Sequence, residues 1–144
     1  MSIRDDLALA HKLVGLRAMR MRVAASRLTE ATRLRERAEA ERAAADATSA
    51  QEAELHEAAR EDLAADPAEA ELRLAVLDAA RFRTAVAGQA LTDARRVEDE
   101  ERGAEAERRR QVLLANLRHD ALAEHARTLA RRHRRRAEAR AANE

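Results

Sequence analysis

The sequence predicts an all-α fold, a long two-helix antiparallel coiled-coil hairpin, on three observations. Pro67 is the only proline among 144 residues and lies near the middle of the chain. Large apolar residues and alanine recur at heptad spacing on both sides of it. Of the residues counted as hydrophobic, 38 are alanine, and Phe82 is the sole aromatic residue. Such a composition is typical of long helices and leaves too few large side chains for a thick core.

The first predicted helix covers residues 3–64. Ser2 and Asp5 have the spacing of an N-terminal cap. The helix carries a seam, meaning a stripe of residues at heptad positions that faces the partner helix, interrupted by Arg17 and Arg35. One set of seam positions holds Leu7, Val14, Met21 and Leu28, and the complementary set holds Ile3, Ala10, Ala24, Ala31, Ala38 and Ala45.

A turn is predicted at residues 65–67, followed by a second helix over residues 67–138 and a frayed basic C-terminus at 139–144. In the sequence Asp66-Pro67-Ala68-Glu69, Asp66 is a suitable N-cap and Pro67 loses no hydrogen bond at the first helical position. The expected seam of the second helix, with Phe82 as its largest side chain, is Leu72, Val76, Ala79, Phe82, Val86, Ala90, Ala94 and Val97, then Ala115, His119, Leu122, Ala126, Leu129 and His133.

A turn at 65–67 predicts a register in which the numbers of facing residues sum to roughly 133. In that register, the stretch of the first helix without large apolar residues, between Leu34 and Leu55, faces larger side chains of the second. Large-against-small packing of this kind favours a monomeric hairpin. A parallel, in-register homodimer would instead place alanine against alanine and like charges together in those stretches.

Charge is strongly segregated along the chain although its net value is +1. Residues 1–35 carry +5, residues 36–71 carry −9, residues 72–107 carry −2 and residues 108–144 carry +7. A hairpin would therefore gather positive charge at its free end and negative charge at its turn. The basic end is expected to bind acidic partners. The alternative is a solvated terminus whose arginines favour the helix dipole.

The sequence contains no catalytic, cofactor-binding or metal-binding motif, and no small-molecule substrate is expected. The five histidines lack a metal-binding spacing, no cysteine accompanies them, and the glycines form no phosphate-binding loop. We expect all five histidines to be structural, with His119 and His133 packed in the seam. With no apolar stretch resembling a signal peptide or a membrane span, the expected compartment is the cytoplasm.

Nucleic-acid binding is an alternative function, because the densest basic cluster lies near the C-terminus. Arginine guanidinium groups bind phosphate well, but this region lacks the aromatic residues on which single-stranded bases stack. We therefore do not favour a nucleic-acid partner. The cluster consists of Arg127, Arg131, Arg132, Arg134, Arg135, Arg136 and Arg140.

Residues 13–31 resemble the start of the type III secretion stalk proteins, the YscO group of injectisomes and their flagellar relative FliJ. A leucine pair, arginines, and then alanine and leucine at helical spacing recur in that family. The matching residues here are Leu13, Leu16, Arg17, Arg20, Ala24, Leu28 and Ala31. Chain length, the two long helices, the central turn and the basic C-terminal end are also similar.

This resemblance implies a non-enzymatic coupling protein at the cytoplasmic face of a secretion apparatus, touching the membrane only indirectly. The implied partners are the hexameric export ATPase, the export gate protein and, in some members, secretion chaperones. The basic free end would enter the ATPase ring and the acidic turn end would face the gate. The residues implied to bind the partner are Arg17, Arg20, Arg22, Arg131, Arg132, Arg134, Arg135 and Arg136. A generic coiled-coil scaffold remains the other alternative.

Overall fold

The computed structural model describes residues 2–65 and 68–144. It contains two long helices packed against each other, α1 (Ile3–Ala65) of 63 residues and α2 (Ala70–Ala142) of 73 residues. Neither described stretch contains a β-strand. The predicted all-α helical hairpin is confirmed.

The start of α1 is fixed by a reciprocal cap, as predicted. The Asp5 amide donates a hydrogen bond to Ser2 Oγ at 3.2 Å, and the Ser2 amide donates one to Asp5 Oδ2 at 3.2 Å. Together these bonds satisfy two amides that a helix start would leave unpaired. The hydrogen bond from the Ser2 hydroxyl is the main reason that the pKa of Asp5 lies below its ordinary value.

The start of α2 differs from the prediction. The helix begins at Ala70, whereas the predicted start at Pro67 and its cap Asp66 lie outside the described residues. Glu69 has a φ of 58°, a left-handed conformation that cannot continue into the preceding residues as α-helix. Its carbonyl accepts a hydrogen bond from the Arg73 amide at 3.1 Å, so Glu69 is the boundary residue of α2.

The C-terminal end of α2 extends past the predicted boundary at residue 138. The helix continues to Ala142, and the Asn143 amide then bonds to the Arg140 carbonyl at 3.1 Å. Residues 139–142, predicted to fray, are three alanines and Arg140. Alanine has the highest helix propensity, and a basic residue in the last turn is favoured by the helix dipole. These preferences explain the extra turn.

The seam of α1 follows the predicted heptad over the whole helix. Every position of the 3–4 pattern from Ile3 to Leu63 is buried or half-buried, including Arg17 and Arg35. Three polar residues, Ser49, Glu52 and His56, continue the pattern toward the turn. Heptad phase therefore defines the contact face even where the residues are polar.

The seam of α2 was predicted well in its second half and wrongly in its first. Ala115, His119, Leu122, Ala126, Leu129 and His133 are all buried or half-buried, as expected. Of the earlier residues only Ala94 occupies a seam position. The exposed fractions are 62% for Leu72, 51% for Val76, 70% for Phe82 and 52% for Val86. The observed seam there is Arg73, Leu77, Ala80, Thr84, Ala87, Leu91, Ala94 and Glu98.

Continuity of the heptad explains this error. Stepping back by sevens from Ala126 and Leu129 reaches Leu77 and Ala80 without a break. The stripe of larger residues through Phe82 belongs to another phase, so bringing it into the seam would require an insertion that locally unwinds or overwinds the helix. The structure keeps one phase and leaves the larger side chains outside.

The register is shifted from the predicted one by three residues. Ala10 clusters with Ala126, and Ala59 clusters with Leu77, so the paired numbers sum to 136 and not to 133. The Thr84 hydroxyl donates to the Glu52 carbonyl at 3.2 Å in the same register. The shift arises at the turn, because α2 begins at Ala70 and not at Pro67.

The chain divides into two compact units. Unit 1 comprises Met1–Ala31 with Glu105–Glu144, and unit 2 comprises Thr32–Ala104. In unit 1, Leu7 and Val14 pack on a buried cluster of Ala10, Ala126 and Leu129. In unit 2, Leu63 packs on Ala59, Leu77 and Ala80. Both cores are thin and combine alanine with a few leucines.

Ala80→Leu tests the corrected seam, because Ala80 is only 1% exposed and a larger side chain there must push the helices apart. We expect the free energy of unfolding to fall by about 2 kcal/mol. Ala79→Leu is the matched control, since Ala79 is exposed, and should change it by less than about 0.5 kcal/mol. Urea denaturation followed by circular dichroism measures both. A larger loss for Ala79→Leu would restore the seam predicted from the sequence.

Glu69→Gly tests the strained boundary of α2. Glycine adopts a positive φ without the steric cost that glutamate incurs, so we expect the free energy of unfolding to rise by about 0.5 to 1 kcal/mol. Ala70→Gly, one residue later and inside the helix, should lower it by up to about 1 kcal/mol. Thermal denaturation of both variants measures these changes. A destabilised Glu69→Gly variant would contradict the left-handed assignment.

Candidate partner-binding surface

Unit 1 concentrates the positive charge of the protein. It contains 17 basic and 9 acidic residues, a net charge of +8, whereas unit 2 contains 11 basic and 18 acidic residues, a net charge of −7. All eight arginines implied by the sequence to bind a partner belong to unit 1. The structure therefore brings both ends of the chain into one basic unit.

The eight predicted arginines do not have equal access to a partner. Arg17 is half-buried at a seam position, where its aliphatic stem can pack while its charged end reaches solvent. The Arg22 Nε contacts the Ala18 carbonyl at 3.5 Å, and Arg131 is paired with Glu124 at 3.0 Å. The seven exposed members of the set are Arg20, Arg22, Arg131, Arg132, Arg134, Arg135 and Arg136.

The two units differ sharply in how their basic residues are satisfied. Within the described residues, every arginine of unit 2 interacts with another group, usually a carboxylate. In unit 1 only Arg109, Arg110, Arg127 and Arg131 are paired with a carboxylate. The basic side chains there with no partner in the described part of the chain are Lys12, Arg17, Arg20, Arg27, Arg118, Arg132, Arg134, Arg135, Arg136 and Arg140.

In unit 1 a polar groove lies between the N-terminal end of α1 and the C-terminal end of α2. Arg4 from α1 and His133, Arg136 and Arg140 from α2 line it, together with Ser2, in a volume of about 500 Å³. Arg140 belongs to the C-terminal basic cluster considered above for phosphate binding, whereas Arg4 had no predicted role. Guanidinium groups converging from two helices can bind a carboxylate or another oxyanion.

In unit 2 the arginines form ion pairs and hydrogen bonds within the unit. Glu98 is only 5% exposed, accepts a hydrogen bond from Arg42 Nε at 2.7 Å and forms an ion pair with Arg102. Arg42 also bonds to Asp46 at 2.8 Å, and Arg95 bonds to Asp46 at 3.3 Å. Sequence reasoning missed this network, although Arg42 follows Arg35 by seven residues and continues the seam.

The network shifts the pKa of two of its members. The hydrogen bond from Arg42 is the largest cause that holds the pKa of Asp46 below its ordinary 3.8, and Arg95 adds to it. The hydrogen bond to Asp46 is in turn the largest cause that raises the pKa of Arg42, followed by Glu98. The geometry is that of a structural ion-pair network, because its charges are saturated by one another.

No described part of the chain suggests a metal centre, since no three histidine or acidic residues of 2–65 and 68–144 lie close enough to share an ion. His119 and His133 occupy the predicted seam positions, and His119 Nδ1 lies 3.2 Å from Asp120. His56 is also in the seam, where its buried Nε2 has no hydrogen-bond partner within the described residues. None of the described helices has a stretch long and apolar enough to cross a membrane.

Comparison with known proteins does not assign this chain to a family. No family model, no curated protein and no solved structure matches it significantly. The indications of function are therefore the charges and surfaces described above and the resemblance of residues 13–31.

Asp46→Asn tests the pH dependence of the unit 2 network. The folded pKa of Asp46 is lowered, so its stabilising contribution is present above the ordinary value of 3.8 and is lost as the pH falls through the folded pKa. We expect the variant to unfold at lower urea concentration at neutral pH and to lose less stability than wild type between about pH 4 and pH 2. Asp99→Asn, at an exposed position of the same unit, is the control. Equal pH slopes for wild type and Asp46→Asn would contradict this role.

Proposed function

We propose that this protein is a non-enzymatic stalk or coupling protein of a type III secretion export apparatus. The basic surface of unit 1 binds the hexameric export ATPase, and the acidic unit 2 contacts the export gate. The observation that carries the proposal is the large set of basic side chains in unit 1 without a partner in the described residues, which contrasts with the saturated charges of unit 2. The resemblance of residues 13–31 to the YscO and FliJ stalk proteins supplies the identity of the partner.

Unneutralised like charge gathered in one unit repels itself, so it opposes folding of that unit. An acidic partner removes this repulsion, and interfacial charge complementarity speeds association and fixes orientation.

Catalysis has no part in the proposal. The cores of both units consist mainly of alanine and leucine, and the groove with the most basic lining holds arginines, one histidine and Ser2. The Ser2 hydroxyl donates to Asp5 at 2.7 Å as part of the α1 cap, and the arginines suit the groove to binding an anion. The protein would therefore promote assembly or turnover of the ATPase while hydrolysing nothing itself.

Replacing Arg132, Arg134 and Arg135 together by glutamate tests the proposal. These three side chains are exposed and lack a partner among the described residues, so helicity should be retained. Single exposed pairs contribute about 0 to 1 kcal/mol, so we expect the triple change to weaken binding to the export ATPase by about tenfold. Stimulation of ATP hydrolysis should fall accordingly, and ~0.5 M salt should weaken the wild-type interaction through screening.

The matched control is the triple change Arg60, Arg81 and Arg96 to glutamate. These arginines are exposed and lie in unit 2, where each has an acidic neighbour. Replacing them by glutamate reverses the same amount of charge as the test variant does. The control should retain stimulation of the ATPase. Equal stimulation by both triple variants would refute the assigned surface. Tight binding of wild type to RNA at physiological salt, with no effect on the ATPase, would instead favour the nucleic-acid alternative.

A further inference from the structure

The corrected seam leaves apolar side chains uncovered, and most of them lie on one flank of the helices. Fifteen large apolar side chains are exposed in the described residues. Ten of them directly precede a seam residue in the sequence, whereas only Leu74 and Leu113 directly follow one. Residues that precede a seam residue share one flank of a heptad pattern, which we name the leading flank. Its exposed apolar residues are Leu9, Leu13, Leu16, Val23 and Leu114 in unit 1, and Leu34, Leu55, Leu72, Val76 and Val86 in unit 2.

Grooves between the two helices confirm that these residues share a face within each unit. In unit 1, Leu9 and Leu13 from α1 line a groove of about 250 Å³ with Leu122 and His125 from α2. In unit 2, Leu72 and Val76 line a groove of about 370 Å³ with Asp62, and Leu34 and Val97 line a second one of about 260 Å³. Concave apolar grooves between helices are suited to receive further helices.

The charges along the leading flank are opposite in the two units. In unit 1 the flank carries Arg20, Arg27, Arg118 and Arg132, none of which has a partner within the described residues. Its acidic residues are Asp6, Glu30 and Glu107, of which Glu107 pairs with Arg110 and Glu30 also interacts with another group. In unit 2 the flank carries the acidic residues Glu41, Asp62, Asp93 and Glu100, of which Glu100 pairs with Arg96. The arginines of that flank, Arg37 and Arg83, are already paired with Glu41 and Glu52.

We propose that the leading flank is a self-association surface, through which unit 1 of one copy packs against unit 2 of a second copy. Each unit carries an apolar stripe of five large side chains, and the charges that border the two stripes are opposite in sign. Pairing unit 1 with unit 1 would instead juxtapose unpaired arginines, which is costly. Two identical contacts of this kind close an antiparallel dimer with two-fold symmetry.

This inference does not depend on the proposed function. The large-against-small packing that favours a monomer needs Phe82 and Val86 in the seam, and both are exposed. Exposed contiguous apolar patches of this kind mark interaction sites in soluble proteins. In the dimer, Arg20 and Arg132 would be covered, so an acidic partner of unit 1 would compete with the second copy.

Sedimentation equilibrium over a range of protein concentrations tests the proposal at low salt. We expect a reversible dimer of twice the 16.0 kDa chain mass, weakened by added salt. Two triple variants, Leu9→Ser/Leu16→Ser/Val23→Ser and Leu72→Ser/Val76→Ser/Val86→Ser, should each raise the dimer dissociation constant by at least about tenfold. The control Met19→Ser/Leu113→Ser/Leu117→Ser changes three exposed apolar residues outside the flank and should leave it unchanged.

Cross-linking tests the orientation, which the absence of native cysteine makes simple. Leu16→Cys and Val86→Cys variants are mixed and treated with a flexible bismaleimide. We expect the mixed product to dominate, because Leu16 belongs to the unit 1 flank and Val86 to the unit 2 flank. Predominant Leu16–Leu16 and Val86–Val86 products would overturn the antiparallel arrangement. A purely monomeric protein at ~100 μM, a concentration at which even a weak specific complex forms, would overturn the proposed surface. An equal loss of dimer affinity in the control variant would overturn it as well.

Discussion

One unbroken heptad phase determines most of the structure. Each helix keeps the same 3–4 pattern from one end to the other, so whatever residue falls on that pattern is placed in the seam. Much of the seam is alanine, which allows the helices to approach closely and leaves little apolar area to bury. The larger residues of unit 2, including Phe82, lie on other phases and remain outside. Because polar residues also fall on seam positions, they need hydrogen-bond or ion-pair partners within the seam.

Unit 2 meets that constraint with ion pairs. Glu98 is buried beside Arg42 and Arg102, and the Thr84 hydroxyl reaches the Glu52 carbonyl across the seam. A buried carboxylate without such partners would cost several kcal/mol, so these contacts also disfavour other registers. The acidic excess of unit 2 is thereby partly used in folding. In unit 1 the buried Glu105 pairs with Arg109, but most of the other arginines of that unit have no partner in the described residues.

The available charge and the uncovered apolar flank point to a protein that works through contacts. The basic unit 1 is the natural partner of an acidic surface, whether on an export ATPase or on the acidic unit of a second copy. Both interactions would be sensitive to salt, but only the second requires the apolar flank. Stalk activity and self-association would therefore be alternative uses of overlapping residues, with Arg20 and Arg132 common to both.

The sequence by itself determined the fold class, the seam of α1, the cap at Ser2 and Asp5, and the concentration of arginines at both ends of the chain. These features depend on local spacing and on helix propensity, which a single sequence displays directly. It could not determine the register, because the start of α2 depends on Glu69 adopting a left-handed conformation next to the turn. The sequence also led to a wrong seam for the first half of α2. Phe82 and Val86 were chosen for their large side chains, but only the heptad positions counted back from Ala126 and Leu129 face the partner helix. The tertiary structure decided which apolar residues remain exposed and which arginines remain unpaired, because both depend on the side chains that the second helix brings into reach.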